Sequence, residues 1–160
     1  MQIAEDLDDA RLAILVAQFY TQVRSDALLG PVFDHAIADW PEHLQKLTDF
    51  WSSVMLTTGC YKGQPMLAHM RHQAEITPEM FSRWLILWEN NAAQCLLPEA
   101  AAAIVSKAHR IAASLQMALY PLLPPSCAGP DRSTPPPPPP VEPRANSGPH
   151  TETVHPPRAL

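Results

Sequence analysis

Apolar positions recur through the first three quarters of this chain with the spacing of an α-helix, and no segment shows the two-residue alternation of a strand. Leu12, Leu15, Val16, Phe19, Tyr20 and Val23 fall on one stripe and predict a helix from about Asp9 to Arg24, with Tyr20 on its buried face. The next stretch, SDALLGPVFDHAIADW, is interrupted by Gly30 and Pro31, which predicts a tight turn with single-turn helical pieces and Phe33 packed inward. Asp39 and Glu42 are spaced as a capping box with Pro41 in the first turn, so a helix opens there whose inward face carries His43, Leu47, Phe50, Trp51 and Val54. Gly59, Gly63 and Pro65 end it. Pro65 can start a shorter helix on which Met66 and His69 turn toward the same space. Thr77, Pro78 and Glu79 read as N-cap, first helical residue and dipole-matched acid of a helix to about Leu96, striped by Phe81, Trp84, Leu85, Trp88, Ala92 and Cys95. Pro98 opens the longest helix, with Ala101, Ile104, Val105, Ala108, Ile111, Ala112, Leu115 and Leu119 on one face. The expectation is an all-α domain of roughly four main helices and two short ones.

Composition changes that picture at Tyr120. Of the 19 prolines, 14 lie in the last 40 of the 160 residues, which divides the chain into a folded part, 1–120, and a tail, 121–160. The tail has almost nothing apolar to bury and is expected to be disordered. Pro135 to Pro140 would favour a short polyproline-II rod of the kind SH3-like domains bind, although a plain solvated tail is the preferred reading. His150 and His155 are too isolated to be metal ligands.

The net charge of −5 belongs wholly to the domain, because the tail's three arginines balance its three acids. An acidic surface without a basic cluster excludes phosphate-backbone recognition and attraction to anionic membranes, so neither nucleic acid nor membrane is expected as a partner. Cys60, Cys95 and Cys127 form no CxxC pair, which speaks against a disulfide framework, a zinc site and covalent haem attachment. The longest apolar run, Leu12 to Ala17, is far too short to span a bilayer, and the acidic start is unlike a secretion signal; a cytoplasmic protein is expected.

Candidate chemistry centres on His43 and His69, which stand on opposite sides of the Gly/Pro-rich bend and leave room for something flat and apolar between them. Each taken alone reads first as a core histidine bonded to a carbonyl. Tyr20 and the tryptophans carry the same ambiguity, since a buried hydroxyl or indole N–H needs a partner whether or not it has a chemical role.

The pieces FYTQVRSDALLGPVF at 19–33, DWPEHLQKLTDFW at 39–51, YKGQPMLAHM at 61–70 and FSRWLILWE at 81–89 together resemble the third group of truncated haemoglobins, over about residues 5–120. The resemblance implies a two-over-two helical sandwich around non-covalent haem b, with His69 as the proximal iron ligand and His43 as the distal histidine. Tyr20 and Trp84 become the other distal polar residues, which would stabilise a bound ligand. Phe33, Leu47, Phe50, Trp51 and Met66 would line the porphyrin. His72, one turn beyond His69, competes as ligand, but the family's histidine four residues after proline selects His69. Lys62 and Arg71 are candidate propionate partners. Such a pocket suits dioxygen and related diatomic ligands, and oxygen, nitric oxide or peroxide redox chemistry at least as well as bulk transport, with a reductase or small reductant as electron source and a monomer as the expected form. A peroxidase-like enzyme using His43 as acid and base is the alternative. A haem-free helical interaction module with a Pro-rich tail is an alternative of another class.

Overall fold

The computed structural model describes residues 6–121. The expected disorder of the tail, its polyproline rod and Cys127 lie outside the described residues. Among the described residues six helices follow one another and no strand occurs: α1 Asp9–Ser25, α2 Gly30–Ala36, α3 Trp40–Leu56, α4 Pro65–Arg71, α5 Pro78–Cys95 and α6 Pro98–Leu119. None of them is long and apolar enough to cross a membrane.

Local chemistry sets most of the boundaries. Asp8 and Asp39 cap α1 and α3 by accepting from the backbone N–H groups of Arg11 and Glu42, at 2.7 and 2.9 Å. Pro stands in the first turn of five of the six helices, α2 to α6, where its missing donor costs nothing. Three expectations need correction. Only half of the capping box at Asp39 forms, because Glu42 reaches forward to Lys46 at 2.6 Å. Thr77 occupies the N-cap position of α5, but its hydroxyl makes no capping bond. Finally, α3 ends at Leu56, before Gly59, because Thr57 itself takes the left-handed conformation at φ 59°. The turn after α1 is also more helical than its breakers suggested, since α2 runs for seven residues. Gly30 permits it, for a Cβ there would meet the Arg24 carbonyl oxygen at 2.7 Å.

The helices pair two on two. α1 packs on α3, α5 packs on α6, and α1 and α5 join the pairs; the short α2 and α4 attach to α1 and α6. The main core gathers Leu12, Leu15, Val16, Phe19, Val23, Trp51, Trp88 and Ile104, all fully buried or nearly so. A smaller core around Phe81, Ala112, Leu115 and Leu119 receives Met66 from α4, and Leu85 and Ile111 touch both clusters. Asn91 sits on the α5 stripe and is buried, donating to the Leu15 carbonyl at 3.0 Å and accepting from Gln22 at 3.2 Å, so it ties α5 to α1 through satisfied bonds.

Asp26 closes the corner between α1, α2 and α5. Its carboxylate accepts from the N–H groups of Leu28 and Leu29, both at 3.0 Å, and from Arg83 Nε at 2.8 Å. Burial pushes the Asp26 carboxyl up, but the Arg83 bond, the two amide donors and the Arg83 charge outweigh it, and the net shift is downward. Its stabilisation is therefore complete above the ordinary carboxylate range near about 4 and is lost as pH falls through the lower folded-state value. Asp26→Ala should cost about 1–3 kcal/mol at neutral pH, with Arg83's exposure favouring the low end. Urea titrations of both proteins should show the difference shrinking in acid; a difference independent of pH would contradict the assignment.

Candidate functional site

The apolar inner faces of the helices are not equally covered. α1 buries its whole stripe, whereas α3 buries only Trp51 and Ser52 over 17 residues and α4 buries nothing. Leu47, Phe50, Val54 and Met55 on α3, Met66 on α4, and Trp84 and Leu85 on α5 are all half-buried. A band of apolar surface thus lies half covered along α3, α4 and α5.

On the α1 side of this band the polar residues converge. The His43 ring stands edge-on to Tyr20 at 5.9 Å between centroids and edge-on to Trp40 at the same distance. Phe33 closes on Tyr20 from α2 at 5.7 Å. Trp40 was not foreseen as a member of this group; it is held by Arg24, whose guanidinium lies 4.5 Å over its ring. Tyr20 is 4% exposed. Burial pushes its phenol far above the ordinary value, with the polar edge of the nearby Trp84 indole acting the other way. The hydroxyl is consequently neutral at any working pH.

His43 Nε2 is buried with no partner among the described residues. Leaving such a group unpaired costs about 1–3 kcal/mol, so the site is built to receive something that the chain itself does not supply. Burial first, then the positive charge of Lys46 and the cost of protonating the ring together with His69, lowers the His43 ring below its ordinary pKa, which keeps it neutral near pH 7. An open pocket of about 230 Å³ between the end of α2 and the start of α3 is lined by Ala36, Ile37, Ala38, Asp39, Glu42, Lys46 and His43 itself.

His69 is prepared differently. Its Nδ1 lies 2.8 Å from the Pro65 carbonyl oxygen one helical turn earlier, and a carbonyl can only accept, so the proton resides on Nδ1 and Nε2 keeps its lone pair. A neutral imidazole fixed in this tautomer by a backbone carbonyl is the donor set of a metal-ligating histidine. The ring lies nearly parallel to Phe81 at 6.3 Å. His72, the rival, is the C-cap residue of α4, with its backbone engaged by His69, Glu75 and Ile76. Lys62 and Arg71 are both exposed.

These residues fit a flat, apolar, iron-bearing group. The family model for bacterial-like globins matches residues 8–117. The chain belongs to the bacterial-like globins. It is 34% identical over 123 residues to the group 3 truncated hemoglobin ctb of Campylobacter jejuni, across 72% of this chain and 94% of that protein. The crystal structure of the group III truncated hemoglobin from Campylobacter jejuni matches with a TM-score of 0.66, covering 73% of this chain and 94% of the other. The two-over-two helical arrangement is the truncated globin fold, and globin membership implies haem binding.

The lowered His43 pKa has a consequence for stability. The unfolded chain takes up the proton first as pH falls below the ordinary histidine value near about 6.5, so the folded globin loses stability until its own ring protonates. Between about pH 7.5 and about pH 5.5 the urea midpoint of the wild type should therefore fall more than that of His43→Leu. Parallel curves for the two proteins would show that His43 titrates normally.

Proposed function

We propose that this truncated globin holds haem b without covalent attachment, with His69 as proximal ligand and His43, Tyr20 and Trp84 as distal residues, and that it binds dioxygen and related diatomic ligands for redox chemistry rather than bulk transport. The observation that carries this reading is the pairing of a tautomer-fixed His69 with a buried, unpartnered His43 Nε2 across a half-covered apolar band. Phe33, Leu47, Phe50, Trp51 and Met66 would contact the porphyrin, and residues 1–120 form the haem domain, with 121–160 outside it. The chain acts as a monomer in a reducing cytoplasm, where Cys60 and Cys95 stay free thiols, and takes electrons from a reductase or small reductant.

Bound haem supplies an iron with one open coordination position and the electron inventory of a redox centre. The residues do the rest. Tyr20 and Trp84 present an O–H and an N–H where negative charge develops on a ligand, and both are held rigidly by Phe19, at 4.8 and 5.0 Å. His43 is neutral near pH 7 and so can take a proton at one stage and return it at another. This last property favours the peroxidase-like reading over simple carriage, because a carrier needs donors but no base.

Reconstitution with hemin should give a globin-like absorption spectrum. His69→Ala should abolish haem retention or leave a centre rescued by added imidazole, while His72→Ala keeps normal axial ligation; the reverse result would move the proximal site, and a folded, colourless wild type would leave a haem-free interaction module standing. Two further variants separate carrier from catalyst. Tyr20→Phe should speed oxygen release by roughly 10- to 100-fold, the worth of a hydrogen bond to a partly charged ligand of about 1.5–3 kcal/mol, with carbon monoxide release much less affected. His43→Leu should lose about 10²–10⁴-fold in peroxide reactivity by stopped-flow; unchanged kinetics would leave His43 a packing residue.

A further inference from the structure

Trp88 is fully buried, and its indole N–H meets no acceptor among the described residues. Indoles that deep normally find one, so the position calls for a physical reason. Its ring lies between two other indoles and nearly parallel to both, with Trp51 at 4.6 Å and 16° and Trp84 at 5.3 Å and 12°. Three face-to-face indoles therefore run from Trp84, beside Tyr20 in the candidate site, across from α5 to α3. From Trp51 the series continues through Phe50 at 5.4 Å to Tyr61 at a further 5.3 Å. Tyr61 is half-buried at the surface and firmly seated. Its N–H donates to Ser53 Oγ at 2.9 Å, and its ring lies so close over Gly63 that a Cβ there would meet the hydroxyl oxygen at 2.2 Å.

Indole and phenol are the aromatic side chains that give up an electron most readily, whereas a phenyl ring does not and can serve only as a bridge. We propose that Trp84, Trp88 and Trp51, bridged by Phe50, carry electrons singly from Tyr61 at the surface to the haem crevice when the centre meets a hydroperoxide. The inference rests on the redox reading given above and adds the route by which its electrons arrive. Hydrogen peroxide accepts two electrons and two protons to give two waters. Each electron leaves Trp84 and is replaced in turn from Trp88, Trp51 and Tyr61. Tyr61 releases its O–H proton to solvent water and is left as a neutral tyrosyl radical. A one-electron reductant of the ascorbate or thiol class then returns an electron, and water a proton, before the second electron follows. The unpartnered Trp88 N–H has a function in this route. An oxidised indole with no base beside its N–H keeps its proton, so the charge moves on instead of being trapped in the core.

The test is freeze-quench electron paramagnetic resonance of the full chain carrying haem, mixed with hydrogen peroxide, with haem absorption followed in parallel. The wild type should develop a tyrosyl signal. Tyr61→Phe should lose it and show a tryptophanyl signal in its place. Trp88→Phe keeps an aromatic ring in the core; it should react with peroxide as the wild type does at first, fail to form the tyrosyl signal, and bleach its haem faster. Tyr61→Phe alters only a hydroxyl on a half-exposed ring, so the outcome does not depend on the core variant folding. A tyrosyl signal that survives in either variant overturns the route and leaves the redox reading standing. A haem spectrum indifferent to peroxide overturns both.

Discussion

Phe19 stands at the crossing of α1 and α5 and meets three aromatic rings edge-on: Tyr20 at 4.8 Å, Trp84 at 5.0 Å and Trp88 at 4.8 Å. The edge-to-face geometry sets the positive rim of one ring against the negative face of the next, which fixes mutual orientation as well as distance. Two of its neighbours are the proposed distal donors and the third is the middle indole of the stacked series. The side chain that joins the two helical pairs is thus also the one that aims the site, and truncating it would cost about 3–5 kcal/mol while releasing Tyr20 and Trp84 together. Stability and function share one contact here.

That arrangement leaves the opposite face open. With α1 fully packed and α3 and α4 only half covered, the domain has apolar surface that its own side chains do not reach. A small domain buries a limited share of its surface, so a ligand that fills such a band contributes core as well as chemistry. The two histidines are prepared for it in opposite senses. His69 has its proton held at Nδ1 by the Pro65 carbonyl and its lone pair free, whereas His43 is kept neutral by burial and by the positive charge of Lys46, with a buried nitrogen left unpaired among the described residues.

The α4 segment that carries His69 buries none of its residues, yet the turn after it is tied down at several points. Gln73 donates to the Leu119 carbonyl at 2.5 Å, the Tyr120 hydroxyl donates to the Ile76 carbonyl, and Glu75 meets His35 of α2 at 2.9 Å. The exposed His35–Glu75 pair contributes little by itself. Position is therefore imposed on His69 mainly from the C-terminal end of α6, by the Leu119 carbonyl that the helix leaves unused and by the Tyr120 hydroxyl.

Much of this was legible in one dimension because it is local. Helical periodicity placed Tyr20, Trp51 and Trp88 on buried faces, and Asp39, Pro65, Pro78 and Pro98 marked helix starts, since stripes, caps and prolines act within one or two turns of the chain. The His69–Pro65 bond is of the same local kind, and the family likeness carried by the motifs was borne out by the matching family and fold. What the chain order could not convey is every relation between helices. Trp40 beside His43, Asp26 with Arg83, Asn91 reaching Leu15, and Trp51 stacked on Trp88 join residues that no periodicity relates. Nor could it show that α3 stops at Thr57 or that its stripe stays half covered. Periodicity states which face of a helix is apolar; only the crossing of α1 over α3 and α5 decides how much of that face meets protein and how much is left for something else.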